Sequence, residues 1–340
     1  MKSITVTRVL VIRFSSMGDV ILTSPVVRAL HALLEGEVEV HFLTKSAFAD
    51  AVQGLSGVKR VWTIDRTTAE VERGLQAQGF HYVVDLHANA RSAFVKRGLR
   101  KGEGRTFDLT VDKRSFDKIW LVRTGWDRLA GQHVVERYLD TLRPFGSALV
   151  ALESSGDDGG LRLPDVEVIP SKSRKKVALA LGAAHSGKAI PESHWDTIVA
   201  GVLEAGHAVH LIGGPEEAEM GQRLFDKHES AALVNGAGEL SWPETFSAMA
   251  SADLLIVGDT GAMHAGAALQ VPMVIVWGCT SPALGMGPWR AHPDTVQLEP
   301  EQPERSRPCS RLGDRCRHRT PCIHRVSPQR ILEAVQNILS

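Results

Sequence analysis

Apolar, β-branched runs alternate with amphipathic stretches of helical length along most of this chain. Such runs are typical of strands buried on both faces of a parallel sheet, and the stretches between them are typical of crossover helices. The pattern is clearest in residues 254–278, where the runs 254–257 and 271–277 enclose a Gly- and Ala-rich segment that fits only a tight loop and a brief helix. The sequence therefore predicts an α/β protein with parallel sheets and right-handed crossovers.

The alternation occurs twice, once in each half of the chain. Residues 147–176 between the halves are rich in Ser, Gly, Asp and Pro, which is typical of a linker. A chain of 340 residues also normally holds two domains. We therefore predict an N-terminal Rossmann-like domain over 1–160, a linker over 161–175, a C-terminal Rossmann-like domain over 176–326, and a final helix over 327–340 that packs across the domain junction.

Charge and hydropathy limit the classes of partner. Lys plus Arg and Asp plus Glu both number 39, so global charge does not indicate nucleic acid as a partner. The N-terminus lacks a signal-peptide pattern, and no apolar run approaches the ~18 residues of a membrane span, so we expect a cytoplasmic protein. Residues 91–128 contain eleven Lys or Arg against five Asp or Glu. This basic region is either a solvated helix face or a surface for an anionic partner, including the inner face of the membrane.

Small and polar residues follow the first predicted strand in the sequence SSMGD. Gly18 permits close backbone approach, and Asp19 lies at the start of a helix, where a carboxylate is stabilised. Asp19 is therefore either a plain N-cap or a functional group. The segment is not a G-x-G-x-x-G motif, so a nicotinamide site is weakly supported.

The strand that opens the second half is followed by LGAAHSGK. Ser186, Gly187 and Lys188 could bind phosphate through a hydroxyl, a backbone N–H and a positive charge, respectively. A loop lysine is more often simply solvated. The spacing is not that of a Walker A loop, so nucleotide hydrolysis is not indicated.

Two further loops in the second half also carry candidate ligand contacts. Asp259 and Thr260 end the strand at 254–257, and Gly261 opens the brief helix, whose N-terminus suits a phosphate or carboxylate. Glu216 and Glu217 follow a Gly-Gly-Pro turn, where they either complement the helix dipole or bind a ribose diol.

Taken together, these motifs resemble glycosyltransferase family 9, the bacterial ADP-heptose:lipopolysaccharide heptosyltransferases. The matching stretches are SSMGDVILTSP, LGA with Lys188, IGGPEEAE, and GDTGAMHAGAALQVP followed by WGCTSP, in that order. The resemblance is weakest over residues 89–173. It implies a GT-B fold with two facing Rossmann-like domains and a cleft between them. It also implies an acceptor site on the first domain, a nucleotide-sugar site on the second, inversion at the anomeric carbon and no metal.

The resemblance also implies roles for individual residues. Asp19 is similar to the family's catalytic base, and either Glu216 or Glu217 is similar to its ribose-binding acid. On the acceptor side it implies contacts from Ser16, Gly18 and Arg91. On the donor side it implies diphosphate contacts from Ser186, Gly187, Lys188, Asp259, Thr260, Gly261 and His264, the last matching the family's D-[ST]-G-x-x-H motif.

The residues are chemically consistent with that activity. An inverting transfer needs one general base and positive charge or aligned dipoles beside the departing diphosphate. No Asp-x-Asp occurs in the chain, which agrees with a metal-free route. Ile190 stands where the family commonly has an aromatic residue, and Cys279 where Pro is usual. We expect heptose transfer from ADP-heptose to an anionic lipopolysaccharide core, without a cofactor. The alternatives are a nucleotide-sugar epimerase or hydrolase, and a non-catalytic nucleotide-sugar-binding scaffold.

Three of the four cysteines lie near the C-terminus, at Cys309, Cys316 and Cys322, with His318 and His324 beside them. Thiolates and imidazoles are the usual ligands of zinc, so a zinc site is conceivable. The segment has no C-x-x-C pair, which favours a buried, reduced structural turn instead. Our predicted site residues therefore include no metal ligand.

Overall fold

Two separate parallel sheets organise the chain, as the alternation predicts. The structure is a computed structural model and describes residues 6–100, 106–169, 174–301 and 307–340. Its contacts divide the chain into two units. The first consists of Met1–Lys113 and Gln132–Asp165, and the second of Arg114–Gly131 and Val166–Ser340. The predicted N-terminal domain, 1–160, thus differs from the first unit at residues 114–131, which belong to the second unit, and at residues 161–165, which belong to the first. Residues 170–173 of the predicted linker lie outside the described part.

The first unit has a five-stranded sheet in the order β3-β2-β1-β4-β5, with every neighbouring pair parallel. Its strands are β1 (Val6–Ile12), β2 (Glu37–Lys45), β3 (Val58–Ile64), β4 (Tyr82–Asp85) and β5 (Phe107–Thr110). Its helices are α1 (Met17–Ile21), α2 (Ser24–Leu33), α3 (Glu72–Gln76), α4 (Ala90–Leu99), α6 (Val134–Leu139) and α7 (Ala148–Ser154), while α5 (Ser115–Thr124) belongs to the second unit.

The second unit has a six-stranded sheet in the order β11-β10-β9-β6-β7-β8, again with parallel pairs. Its strands are β6 (Lys176–Ala180), β7 (Ala208–Ile212), β8 (Leu233–Asn235), β9 (Leu254–Gly258), β10 (Met273–Val276) and β11 (Val296–Leu298). Besides α5, its helices are α8 (Glu192–Glu204), α9 (Ala218–His228), α10 (Trp242–Ala250), α11 (Gly261–Ala268) and α12 (Pro328–Leu339).

The register of each sheet brings particular loops together. In the first unit Ile12 pairs with Asp85, so the segments that follow β1 and β4 start side by side. In the second unit Ala180 pairs with Ile212, and Gly258 with Val276. Because carboxyl ends of parallel strands meet at one edge, the polar segments after these strands lie at the same edge of their own sheet.

Local chemistry explains where the elements differ from the predicted ones. The period of apolar residues predicts one amphipathic helix over about residues 20–34. The structure has two helices, α1 and α2, because Pro25 lies in the first turn of α2 and cannot donate a backbone hydrogen bond. The sequence pattern also predicts a helix around residues 48–55. The structure has a short 3₁₀ helix, Ser46–Ala51, instead. The same pattern predicts a strand over 58–64 and helices over 192–204 and 242–250. The structure confirms these three elements as Val58–Ile64, Glu192–Glu204 and Trp242–Ala250.

Helix α12 belongs to the second unit. Ile331, Ala334 and Val335 are buried on one face, and they join the core formed by α8 and the strands of this sheet. The amphipathic pattern is thus confirmed, while the placement of this helix across the domain junction stays a prediction. Of the helices in the described ranges, none is both long and apolar enough to cross a membrane.

Candidate active site

The first group of candidate residues surrounds Lys188 at the carboxyl edge of the second sheet. Lys188 Nζ lies 2.8 Å from Asp259 Oδ2, and these side chains are only 18% and 7% exposed. The buried Thr280 donates its hydroxyl to the same carboxylate oxygen at 2.6 Å. Lys188 follows β6, Asp259 follows β9 and Thr280 follows β10, so three neighbouring strands each supply one member.

The N-terminus of α11 adjoins this group. Thr260 is the N-cap residue, in extended conformation, and Gly261 is the first helical residue. The first N–H groups of a helix have no partner within it, so they are available to an anion. The buried hydroxyl of Thr260 also makes no hydrogen bond with any described residue. His264, in the first turn, is buried.

The loop that carries Lys188 is tightly packed at Gly187. The Gly187 amide donates to the Gly313 carbonyl at 2.9 Å, and the Gly187 carbonyl accepts from the Cys279 amide at 2.8 Å. A Cβ at Gly187 would stand 2.7 Å from the Cys279 sulfur, a distance that real contacts do not allow. Ser186, one residue earlier, is exposed. Ser186 is therefore exposed on this loop, while the packing of Gly187 fixes the backbone position of Lys188.

The two acidic residues after β7 have different environments. Both lie in a short 3₁₀ helix, Pro215–Glu217. Glu216 is exposed, whereas Glu217 is half-buried and accepts the Gly214 amide at 2.9 Å. A Cβ on Gly182 would stand 2.9 Å from Glu217 Oε2, so this carboxylate lies directly over the end of β6. Burial raises the pKa of Glu217.

The second group of candidate residues lies in the first unit, around Asp19. Asp19 Oδ1 lies 2.7 Å from Nη2 of the buried Arg13, which also donates to the Leu86 carbonyl. The other oxygen, Oδ2, accepts the backbone amide and the hydroxyl of Ser16, each at 3.1 Å. The Tyr138 hydroxyl donates to Oδ1 at 3.5 Å. The plain N-cap interpretation of Asp19 is wrong, because Ser16 is the N-cap of α1 and Asp19 is the third helical residue. The carboxylate of Asp19 is instead held by a buried guanidinium.

This environment fixes the ionisation state of Asp19. Burial by itself would raise the pKa, but the charge of Arg13 and the hydrogen bonds from Ser16 and Arg13 outweigh it and lower the pKa to about 2. Burial raises the pKa of Tyr138, so its hydroxyl stays protonated and acts as a donor. At neutral pH the group contains a carboxylate, a guanidinium and a neutral phenol.

Arg91 reaches this group from α4. Its guanidinium carbon lies 5.7 Å from the ring centroid of Phe14, the residue after Arg13. His87, in the loop after β4, contacts the same ring edge-on, with ring centroids 5.2 Å apart. Burial, followed by the nearby charge of Arg13, lowers the pKa of His87 to about 4, so its ring is neutral at pH 7. Arg91, predicted from sequence as an acceptor contact, thus lies beside the Asp19 loop together with Ser16 and Gly18.

Sequence reasoning missed the buried carboxylate that organises this loop. Asp85, 1% exposed, lies 3.0 Å from Lys96 Nζ and accepts the Ser92 hydroxyl at 2.7 Å. Its other oxygen accepts the amides of His87 and Ala88. Asp85 is the last residue of an apolar strand, and a carboxylate at that position is the sequence feature that could have predicted its role. Sequence reasoning also missed Arg13 and Tyr138, for which nothing in the local pattern points to Asp19.

Segment 114–131 carries the end of the predicted basic region. Leu121 and Leu129 are buried against Leu284 of the same unit. Three aromatic side chains are exposed instead: Phe116 by 88%, Trp120 by 42% and Trp126 by 69%. Residues 101–105 of the basic region lie outside the described part.

Comparisons with known proteins show which family the chain resembles. A family profile described as glycosyltransferase family 9 (heptosyltransferase) matches residues 68–313. Lipopolysaccharide heptosyltransferase 1 of Pseudomonas aeruginosa is 27% identical over an alignment of 378 residues covering 98% of each chain. Lipopolysaccharide heptosyltransferase 1 of Escherichia coli K12 is 25% identical over 293 residues, covering 82% of this chain and 89% of its own.

The fold is also shared with a solved structure. The chain superposes on E. coli ADP-heptose lps heptosyltransferase II with a TM-score of 0.73 at 18% identity, covering 98% of both chains. At this identity the likeness shows the fold alone. The two α/β units thus form the GT-B fold that the sequence predicts.

Proposed function

The chain belongs to glycosyltransferase family 9, the heptosyltransferases, and on that premise we propose that it transfers a heptose from ADP-heptose to a lipopolysaccharide inner core. The transfer inverts the anomeric carbon, needs no metal ion and uses Asp19 as the general base. The observation that carries this proposal is the buried Lys188–Asp259 pair at the N-terminus of α11. The curated relatives, lipopolysaccharide heptosyltransferases by name, support a heptose donor and a lipopolysaccharide acceptor.

On the donor side, the diphosphate binds at the N-terminus of α11. The free N–H groups near Thr260 and Gly261, the Thr260 hydroxyl and the Lys188 ammonium all stabilise negative charge there. Ser186 and Gly187 complete the loop on the β6 side. These groups stabilise the ADP that departs as the glycosidic bond breaks, and so replace the divalent ion used by other transferases.

Asp259 has a positioning role in this proposal. A carboxylate repels phosphate, so direct contact with the diphosphate would be unfavourable. Asp259 instead holds Lys188 and Thr280 through one oxygen, and thereby aims the ammonium group before the donor arrives. Such preorganisation lowers the entropic cost of binding.

For the ribose we propose Glu217 rather than Glu216. Its carboxylate lies over Gly182 at the edge where β6 and β7 end, whereas Glu216 points to solvent. A carboxylate oxygen can accept hydrogen bonds from both hydroxyls of a ribose diol.

A carboxylate with a pKa of about 2 is a weak base, so its role needs a chemical argument. The acceptor hydroxyl becomes strongly acidic only as its oxygen bonds to the anomeric carbon and gains positive charge. Asp19 then accepts that proton late in the step, and Arg13 keeps the carboxylate ionised until it does. Arg91 and the loop around Ser16 and Gly18 bind the acceptor, whose anionic groups suit the Arg91 guanidinium.

We also propose that segment 114–131 contacts the membrane surface that presents the acceptor. Phe116, Trp120 and Trp126 are exposed beside the exposed cations Arg123 and Arg128. Aromatic rings and basic side chains together favour the interface of an anionic membrane. The contact is peripheral and leaves the protein on the inner face of the cytoplasmic membrane.

The test begins with thermal melts in ADP, UDP, GDP and CDP, with and without EDTA. A nucleotide at a hundred times its Kd adds about 2.7 kcal/mol of stability, and we expect this for ADP alone. Purified protein with ADP-heptose and a heptose-deficient core should then yield one product of inverted anomeric configuration by NMR. EDTA should leave the rate unchanged, and a loss that Mg²⁺ restores would contradict the metal-free route.

The alternatives give different results in the same assay. An epimerase or hydrolase consumes donor without the core acceptor. A non-catalytic scaffold binds donor and turns over nothing. Either outcome would replace the proposed transfer.

A further inference from the structure

All four cysteines of the chain lie together in the second unit. Their Sγ atoms are within 4.8 Å of one another. Cys279, Cys309 and Cys322 are buried, Cys316 is half-buried, and none forms a disulfide. Cys279 follows β10 and stands about thirty residues before the others. The sequence pattern of the C-terminal segment alone therefore showed only three members of the group.

Two of the distances between the sulfurs are close to those of ligands around one ion. Cys322 Sγ lies 3.7 Å from Cys309 Sγ and 3.6 Å from Cys316 Sγ. A disulfide would require about 2.05 Å. Four thiolates placed tetrahedrally at the Zn–S distance of about 2.3 Å are about 3.8 Å apart, because a tetrahedron's edge is about 1.63 times its centre-to-vertex distance.

We propose that Cys279, Cys309, Cys316 and Cys322 bind a single zinc ion. Tetrahedral sites of four sulfurs are typical of zinc or iron, and sulfurs this close together enclose one ion rather than a multinuclear cluster. Four protein ligands leave no open coordination position, so the ion is structural and not catalytic. His318 and His324, the other candidate ligands in the sequence, are not members of the group among the described residues.

Backbone groups around the sulfurs support thiolate ligands. The Cys322 amide points at Cys316 Sγ at 3.4 Å. The Arg317 amide donates to Cys309. Hydrogen bonds of this kind stabilise the charge of ligands and fix their orientation.

The ion would also hold the loop that carries Lys188. Cys279 donates its amide to the Gly187 carbonyl, and Gly313, between Cys309 and Cys316 in sequence, accepts the Gly187 amide. A Cβ on Gly313 would stand 2.6 Å from Lys188 Cγ, so the lysine stem packs directly on this glycine. The metal site does not depend on the proposed function, whereas this effect on donor binding rests on it.

Metal content is the first experiment. Protein purified without a metal-affinity column should contain one zinc per chain by elemental analysis. Cys316→Ser, at the least buried ligand, should lose that ion, and the matched control His324→Ala, at an exposed side chain of the same segment, should keep it. Iron at one per chain, absence of metal, or full zinc in Cys316→Ser would overturn the proposal.

A second measurement covers the case in which Cys316→Ser does not fold. Cobalt exchanged into the wild-type protein should show sulfur-to-metal charge-transfer absorption and the intense visible bands of a tetrahedral site. A spectrum typical of six-coordinate cobalt would overturn the four-thiolate assignment.

The effect on the loop is tested on the same wild-type protein. Removal of the ion with a mercurial and a chelator, followed by mild reduction, should weaken ADP binding at least tenfold. Zn²⁺ should restore the affinity, and Mg²⁺ should not. Unchanged ADP affinity in the metal-free protein would refute the effect on the loop. Failure of zinc-loaded protein to bind ADP would count against the proposed function and leave the metal site intact.

Discussion

The carbonyl oxygen of Gly187 occupies the space that a Cβ on Gly278 would need. The same carbonyl accepts the Cys279 amide at 2.8 Å, so the segment after β10 and the loop after β6 are joined by their backbones. Arg307 reinforces the junction by donating from Nε to the Gly278 carbonyl at 3.0 Å. The position of Lys188 therefore depends on residues that never contact its charged end.

Gly278→Ala should destabilise the second unit and weaken ADP binding, because the added Cβ would force the backbone at residue 278 away from the Gly187 carbonyl. Overpacking of this kind costs about 1–3 kcal/mol, which corresponds to a melting temperature lower by several degrees. The control is Gly287→Ala, where an added Cβ would meet only Pro282 Cβ at 3.8 Å. Wild-type melting and ADP affinity in Gly278→Ala would show that the loop is not fixed in this way.

Asp19→Asn should strongly reduce transfer and leave donor binding unchanged, because the amide cannot accept the hydroxyl proton. General-base catalysis contributes roughly 10²- to 10⁴-fold, so kcat should fall by about that factor. The control is Asp157→Asn, which breaks the Arg28–Asp157 ion pair of similar exposure in the same unit. Equal losses of activity in the two variants would indicate a structural role for Asp19.

The pH dependence follows from the lowered pKa of Asp19. Its value falls from 3.8 to about 2 on folding, so the Arg13–Asp19 pair stabilises the fold above pH 3.8 and loses this effect as pH falls towards 2. Between pH 4 and 8, protonation of Asp19 should therefore cause no fall in kcat/KM towards acidic pH. Arg13→Gln removes the lowering charge, and burial should then raise the pKa and shift the acid limb above pH 4. Arg28→Gln should leave the profile unchanged. An unshifted profile in Arg13→Gln would contradict the assignment.

Lys188→Met should raise the Kd for ADP, because the departing diphosphate loses its ammonium partner. Hydrogen bonds to charged groups contribute about 1.5–3 kcal/mol, or about 10- to 100-fold in affinity. The control is Lys227→Met, which removes an exposed ammonium paired with Asp196 at 2.8 Å in the same unit. Isothermal titration calorimetry measures both variants, and equal affinities would exclude Lys188 as a phosphate contact.

The membrane surface is tested with vesicles. Substitution of Phe116, Trp120 and Trp126 by Ser should reduce sedimentation with anionic vesicles about tenfold or more, because interfacial binding scales with the apolar area inserted. Phe225→Ser, at a side chain 38% exposed elsewhere in the unit, is the control. Wild-type protein should bind neutral vesicles weakly. Equal binding of the triple variant and the wild-type protein to anionic vesicles would contradict the proposed membrane contact.

Much of the architecture follows from local pattern. β-Branched runs identified both parallel sheets, and the period of apolar residues located Pro328–Leu339 and other helices, because hydrophobic periodicity is a property of neighbours in sequence. The sequence also predicted that Asp19, Lys188 and Asp259 follow the ends of strands. Parallel strands bring such positions to one edge whatever the details of packing.

The partners of these residues were decided by tertiary structure. Arg13 lies six residues before Asp19 and Tyr138 more than a hundred after it, and no local period relates the three. Cys279 joins Cys309 only because β10 ends beside the C-terminal segment. The sequence by itself determined which elements form and which of their ends carry chemistry. Only the packing of those elements decided which charges are paired and which thiols meet, because such contacts depend on distances between residues far apart in the chain.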